Sequence, residues 1–180
     1  MTGLLQQRRY YWINSRESQA HQSFCEYFSE VLTKKIITAA SPLVFLCIGT
    51  PLIAGDTLGP QTGSRLVKKG IPNVFGTMEN PVHAENIEFY RKVIKAVYHR
   101  PAIIAIDAAI GSKSQEGFIT LRNGALKPGS GLGKRIPPIG NIEITGIFEN
   151  IEKDASWHLS KNLSRIISDG IEDFIMNSLF

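Results

Sequence analysis

"PLVFLCIG", residues 42–49, is an unbroken apolar run of strand length. A strand with one wet face alternates apolar and polar side chains, whereas a run without alternation suits a strand covered on both faces, as in a parallel α/β sheet. A second run of the same kind, "PAIIAIDAA" at 101–109, ends in an acid. Between them lie "TLGPQTGSRLVKKG" (57–70), which reads as a helix, and "IPNVFG" (71–76), a short strand candidate. "NPVHAENIEFYRKVIKAVYHR" (80–100) then reads as a helix. Ala84, Ile87, Tyr90, Ile94 and Val97 share one face of it, and Asn80 stands before a proline in its first turn. Strand–helix–strand–helix–strand implies right-handed crossovers with helices on both faces of a sheet.

Working outward, "SRESQAHQSFCEYFSEVLTKKI" gives an amphipathic helix over 15–37 with Phe24, Tyr27, Phe28, Val31, Leu32 and Ile36 as its stripe. Ser15 or Asn14 can cap it, and Lys34 and Lys35 suit its C-terminal end. Residues 1–14 form a polar, aromatic-spotted lead-in. Downstream, "EGFITLRNGALKP" (116–128) reads as a hairpin about Asn123-Gly124, and "NIEITGIF" (141–148) as a strand. "DASWHLSKNLSRIISDGIEDFIMNSL" gives a helix over 154–178, with Trp157, Leu163, Ile166, Ile167, Phe174 and Ile175 as its core stripe. The expectation is one domain over 1–180: a three-layer α/β/α sandwich with a mixed, mostly parallel sheet and its core at 43–148.

The chain has 180 residues, 43% of them hydrophobic and 20% charged, enough to bury a core without disulfides or a structural metal. Its net charge of +4 is scattered, without a basic block or aromatic–basic interleaving, so no nucleic-acid partner is expected. Cys25 and Cys47 lie in apolar surroundings without CxxC spacing, which reads as two thiols in a reducing compartment. No apolar run reaches the ~20 residues of a membrane span, and the N-terminus lacks a secretory pattern. A cytoplasmic protein is expected, with no membrane partner; a homo-oligomer stays open.

In open α/β sheets the site lies beyond the carboxyl ends of the strands. That directs attention to the loops after residues 49, 76 and 107. Asp56 lies in the first, in "IAGDTLGP", and Asp107 ends the apolar "AIIAI". A carboxyl desolvated in this way has a raised pKa and suits acid–base work, and two close carboxyls can share a proton and activate water. Alternatively, Asp56 caps the following helix and Asp107 satisfies backbone amides. In "FGTMENPVHAEN", His83 stands between Glu79 and Glu85 as a metal ligand, a proton carrier, or simply a polar residue of a first helical turn. His21, His99 and His158 show no HExxH-like spacing. Neither a metal nor a cofactor is expected.

"LKPGSGLGKRIPPIG" (126–140) resembles a phosphate loop at first sight. Gly133 and Lys134 match G-x-x-x-x-G-K-[ST], but the first glycine falls at Pro128 and the Ser/Thr at Arg135. Pro137 and Pro138 also disfavour the helix that must follow. Ser130 lacks the strand and helix of a nucleophile elbow.

"CIGTPLIAGDTLGP", "VFGTMENPVHAEN", "AIIAIDAAIG" and "ALKPGSGLGKRIPPIGNIEITGI" resemble the YyaC-type sporulation proteins of spore-forming Firmicutes. They are more distantly similar to the germination protease of small acid-soluble spore proteins and to the hydrogenase-maturation endopeptidases. The resemblance covers residues 43–148 and implies a phosphorylase/hydrolase-like fold and a peptidase. It puts the atypical aspartic pair on Asp56 and Asp107. The "PGSG" loop falls on Pro128–Gly131, so Gly129, Ser130 and Gly131 would meet substrate, flanked by Lys127 and Arg135; Gly55 and His83 are further substrate-binding candidates. The implied partner is a protein or peptide substrate, small acid-soluble spore proteins among the candidates. A non-catalytic protein that uses the same cleft for binding, and a metal variant with Asp56, Asp107 and His83 as ligands, stay open.

Overall fold

A computed structural model describes residues 10–34, 41–128 and 136–178. The chain runs β1 (Tyr11–Asn14), α1 (Ala20–Lys34), β2 (Leu43–Cys47), α2 (Leu58–Lys68), β3 (Val74–Phe75), α3 (Ile87–Val97), β4 (Ala102–Ile110), β5 (Phe118–Asn123), β6 (Ile142–Phe148) and α4 (Ala155–Asn177). A 3₁₀ turn, Gly55–Thr57, leads into α2, and another, Lys113–Gln115, into β5. The six strands form one sheet in the order β1-β5-β6-β4-β2-β3. β3, β2, β4 and β6 are mutually parallel; β5 runs antiparallel to both of its neighbours. The sheet is therefore mixed and mostly parallel, as expected.

Alternation along the central strands builds two cores. Phe45 and Cys47 of β2, Ile104 and Ile106 of β4, and Ile142 and Ile144 of β6 pack with Phe24 and Phe28 of α1, Leu66 of α2 and Leu163 and Ile167 of α4. Val44 and Leu46 of β2 and Ala105 of β4 face the other way, onto Ile87 and Ile94 of α3 and onto Leu126 and Ile139. Three helices thus cover one face, and α3 with a loop covers the other, which gives the three α/β/α layers. Because both faces of β2 and β4 are covered, their sequences carry no polar alternation until Asp107.

The structure corrects five local expectations. Helix α1 begins at Ala20 rather than at residue 15, and Asn14 belongs to β1, so neither Asn14 nor Ser15 caps the helix. The lead-in contains strand β1, whose Tyr11 and Ile13 are buried and which pairs antiparallel with β5. No hairpin turns at Asn123-Gly124; Asn123 pairs with Ile142, so β5 returns through β6 after a long connection pinned by a Leu126–Ile139 bridge. Residues 80–86 precede α3 rather than belonging to it. They wrap under the end of β2, where Val82 bridges Ile48. Val97 and Trp157, assigned to helix core stripes, are 64% and 40% exposed, while Ile171 is fully buried.

Candidate active site

The chain order reverses between β2 and β4: β2 connects outward to β3, and β3 crosses back to β4 on the far side of β2. Crevices open at such reversals because successive connections leave in opposite directions. Asp56 follows β2 and Asp107 is in β4, so both flank this point.

Asp56 owes its place to glycine. Gly49 has φ +145°, and a Cβ there would lie 2.0 Å from the Asp56 carbonyl oxygen. A side chain is excluded by both conformation and contact. The Gly49 N–H donates to the Val82 carbonyl at 2.8 Å, and the Thr50 N–H donates to Asp56 Oδ2 at 2.7 Å. Beneath, the buried Gly55 donates its N–H to the Ile151 carbonyl at 2.7 Å, so that amide is engaged in holding the turn. The buried Thr57 hydroxyl lies 2.9 Å from the Ser160 hydroxyl of α4 and accepts from Gln61 at 3.0 Å.

Asp107 shares the face of β4 that carries Ala105, opposite to Ile104 and Ile106. In-register pairing sets Thr145 beside Asp107 and Glu143 beside Ala105; β5 then adds Thr120 beside Thr145 and Arg122 beside Glu143. Thr120 and Thr145 join hydroxyls at 2.6 Å, and Arg122 forms a buried ion pair with Glu143. The guanidinium also donates to the Ala125 carbonyl at 3.2 Å and lies 5.1 Å from the centre of the Tyr10 ring. A polar ladder thus floors the crevice where the apolar layers end.

His83 reaches the site through the segment that hooks onto β2. Its N–H donates to Asn86 Oδ1 at 2.8 Å while Asn86 Nδ2 donates to the Pro81 carbonyl at 3.0 Å, which fixes the turn. The Glu85 N–H donates to His83 Nδ1 at 3.3 Å.

The crevice has a volume of about 690 Å³; Asp56, His83, Asp107, Arg122, Lys127 and Glu143 all line it. Burial raises the Asp107 carboxyl well above the ordinary range, and the charge of Asp56 and then that of Glu143 push it further, against one hydrogen bond from the Ala108 N–H. Burial also raises Asp56, opposed by the Thr50 N–H and the nearby His83. Among the described residues, each acid accepts one backbone amide on one oxygen. Lys127 is exposed at the rim; Gly129, Ser130, Gly131 and Arg135 lie outside the described residues. The donor atoms of Asp56, Asp107 and His83 do not converge as a metal trio; the one His/Cys/Asp/Glu trio that closes to within 4.8 Å among the described residues is His21, Cys25 and Asp173.

A family model described as "Protein of unknown function (DUF1256)" matches residues 12–169, which span nearly every element above. The chain belongs to the DUF1256 family. This DUF1256 chain is 29% identical over 175 residues to the "Uncharacterized protein YyaC" of Bacillus subtilis (strain 168), covering 92% of the chain and 84% of that protein. The likeness to YyaC read from the motifs is thereby shown. Among solved structures, the [NiFe] hydrogenase maturation protease HycI of Thermococcus kodakarensis KOD1 superposes with a TM-score of 0.50 at 12% identity, covering 78% of this chain and 99% of that one. The HybD maturation protease of Thermococcus kodakarensis gives a TM-score of 0.42 at 15% identity over 77% and 98%. The HycI match shows that the DUF1256 chain shares the fold of a maturation protease. No helix among its described residues is long and apolar enough to cross a membrane.

Thr50, Thr120, Arg122, Glu143 and Thr145 escaped the sequence reading. A signal existed for the last four. "ITLR" and "EIT" place polar residues at every second position of strands whose other face is apolar. In a sheet covered on both sides, such alternation marks where one cover is missing.

Proposed function

We propose that this chain is a peptide-bond hydrolase in which Asp56 and Asp107 activate water between them. The observation that carries the reading is the pair itself: two carboxyls in one crevice at the chain reversal, both raised by burial, the second further by the charge of the first. Of two carboxyls so placed, the one raised further keeps its proton to higher pH. Asp56, with an amide donor and His83 to favour its charge, is the ionised member and general base; Asp107 is the protonated member and general acid. Asp56 takes a proton from water as its oxygen bonds to the carbonyl carbon, and Asp107 gives its proton to the carbonyl oxygen. The tetrahedral adduct collapses as the C–N bond breaks: the proton on Asp56 passes to the departing amine, and one hydroxyl of the adduct returns its proton to Asp107 as the carbonyl of the new acid forms. General acid and base contributions of this sort are worth ~10²–10⁴-fold each. Among the described residues each acid accepts a single backbone amide on one oxygen, which supports catalysis over a purely binding role.

Lys127 at the rim, with Arg135 beyond it in sequence, favours acidic substrate segments, and the resemblance to sporulation and germination proteins supports a substrate among the proteins of a spore-forming cell. The test is incubation of the wild type, Asp56→Asn and Asp107→Asn with spore extract, reading new peptide termini by mass spectrometry. Termini that need both acids support the reading; none that depend on either acid sinks it.

A further inference from the structure

Far from the crevice, α1 and α4 bring together three side chains that bond chiefly to one another. His21 Nε2 lies 2.8 Å from Asp173 Oδ2 and 3.7 Å from Cys25 Sγ, and the three donor atoms all fall within 4.8 Å. His21 and Cys25 stand four apart on α1, hence on one face, and Asp173 meets them from α4. We propose that His21, Cys25 and Asp173 form a site for a borderline divalent transition ion, zinc by its donor set, with solvent as fourth ligand.

An imidazole nitrogen, a thiolate and a carboxylate are the three ligand types zinc takes, and three protein ligands with one open position make a tetrahedral site. At bond lengths of about 2.0–2.3 Å, tetrahedral donors stand about 3.3–3.6 Å apart. The sulfur–nitrogen distance is already 3.7 Å, and the nitrogen–oxygen contact must open from 2.8 Å as the ion replaces the proton between them. Calcium and magnesium, which select oxygen donors, do not fit the set. The His21 and Asp173 side chains are 42% and 52% exposed, so the mouth is open to an entering ion and to its water. The surroundings are negative. Glu26 and Asp173 both bear electrostatically on Cys25, and on α4 Asp169, one turn back, and the adjacent Glu172 hold Lys69. Of the two cysteines, Cys47 is fully buried in the core, so Cys25 is the thiol within reach of solvent. The bound ion would tie together two helices far apart in sequence.

The experiment titrates untagged protein with cobalt(II), as a coloured stand-in, and with zinc, followed by ultraviolet–visible absorption, calorimetry and thermal melting. The expected result is one equivalent bound, a sulfur-to-cobalt charge-transfer band, and a higher Tm with zinc that a chelator reverses. Cys25→Ser should abolish the band, and Cys25→Ser, His21→Gln and Asp173→Asn should each weaken zinc binding at least tenfold. These positions are partly exposed, so the variants are expected to fold, and their metal-free Tm values check this. Absence of binding at micromolar zinc, or binding that none of the three substitutions weakens, would overturn the proposal and leave His21–Asp173 as an ordinary hydrogen-bonded pair.

Discussion

Asp56 and Asp107 stand on opposite sides of the chain reversal in the sheet, and the charge of the first holds the carboxyl of the second up. Because burial is the larger cause for Asp107, Asp56→Asn should lower the Asp107 pKa without returning it to the ordinary range. Carbon-13 NMR titration of labelled aspartates reads this directly. An Asp107 pKa unmoved by the substitution would mean that the two carboxyls do not interact.

The same shifts set a pH profile. The proposed hydrolysis uses Asp56 ionised and Asp107 protonated, so kcat/KM should rise with pH through the Asp56 titration and fall through that of Asp107. Asp56→Asn should remove the acid limb along with most of the activity, a loss of about 10²-fold or more.

Stability should respond in the opposite sense to activity. A carboxyl whose folded pKa is raised stabilises the fold most below its unfolded pKa, and that contribution is lost as pH rises through the folded pKa. Asp107→Asn removes the cost of the buried charge, so at and above neutral pH the variant should be more stable by about 0.5–2 kcal/mol, a gain common where functional strain is relieved. The gap should narrow as pH falls toward the ordinary carboxylate range. Urea melts at several pH values measure it; a variant less stable at every pH would contradict the assignment.

Gly49 admits no side chain. Gly49→Ala would drive a methyl against the Asp56 carbonyl from a backbone conformation that alanine rarely adopts. A loss of about 1–3 kcal/mol is expected in denaturant melts, with reduced activity because the displaced atom belongs to Asp56 itself.

Arg122 and Glu143 are 9% and 12% exposed. Arg122→Met alone leaves a buried carboxylate unpaired and should cost about 3–5 kcal/mol, whereas Arg122→Met with Glu143→Leu should recover most of it. A double variant as unstable as the single one would show that the pair is held by more than charge.

The central α/β pattern was legible because β2 and β4 are covered on both faces and therefore read as solid apolar runs. Asp107 was legible for the same reason, as the first charge in such a run. β1 was not: four residues carry too little alternation to stand out, and its pairing with β5 depends on a partner more than a hundred positions away. Asn123-Gly124 carries a strong local turn signal, but the pairing of β5 with β6 overrides it, since the alternation of Arg122 and Glu143 fits that register. Asn80-Pro81 likewise suits a helix start, yet the backbone there is used to carry Val82 beneath Gly49, and α3 begins only at Ile87. Local alternation marks Thr120, Arg122, Glu143 and Thr145 as polar, but only the strand register sets them beside Asp107 and one another.

The hydroxyl contact between Thr57 and Ser160 has a consequence in time. The turn that carries Asp56 emerges early from the ribosome, but the α4 hydroxyl that supports it from below emerges about a hundred residues later, at synthesis rates of roughly 5–20 residues per second. For the later half of that interval, once Asp107 has emerged as well, the nascent chain has both acids and lacks the prop beneath one of them. A crevice assembled in this order is completed last, when the helix that closes the fold is already leaving the exit tunnel.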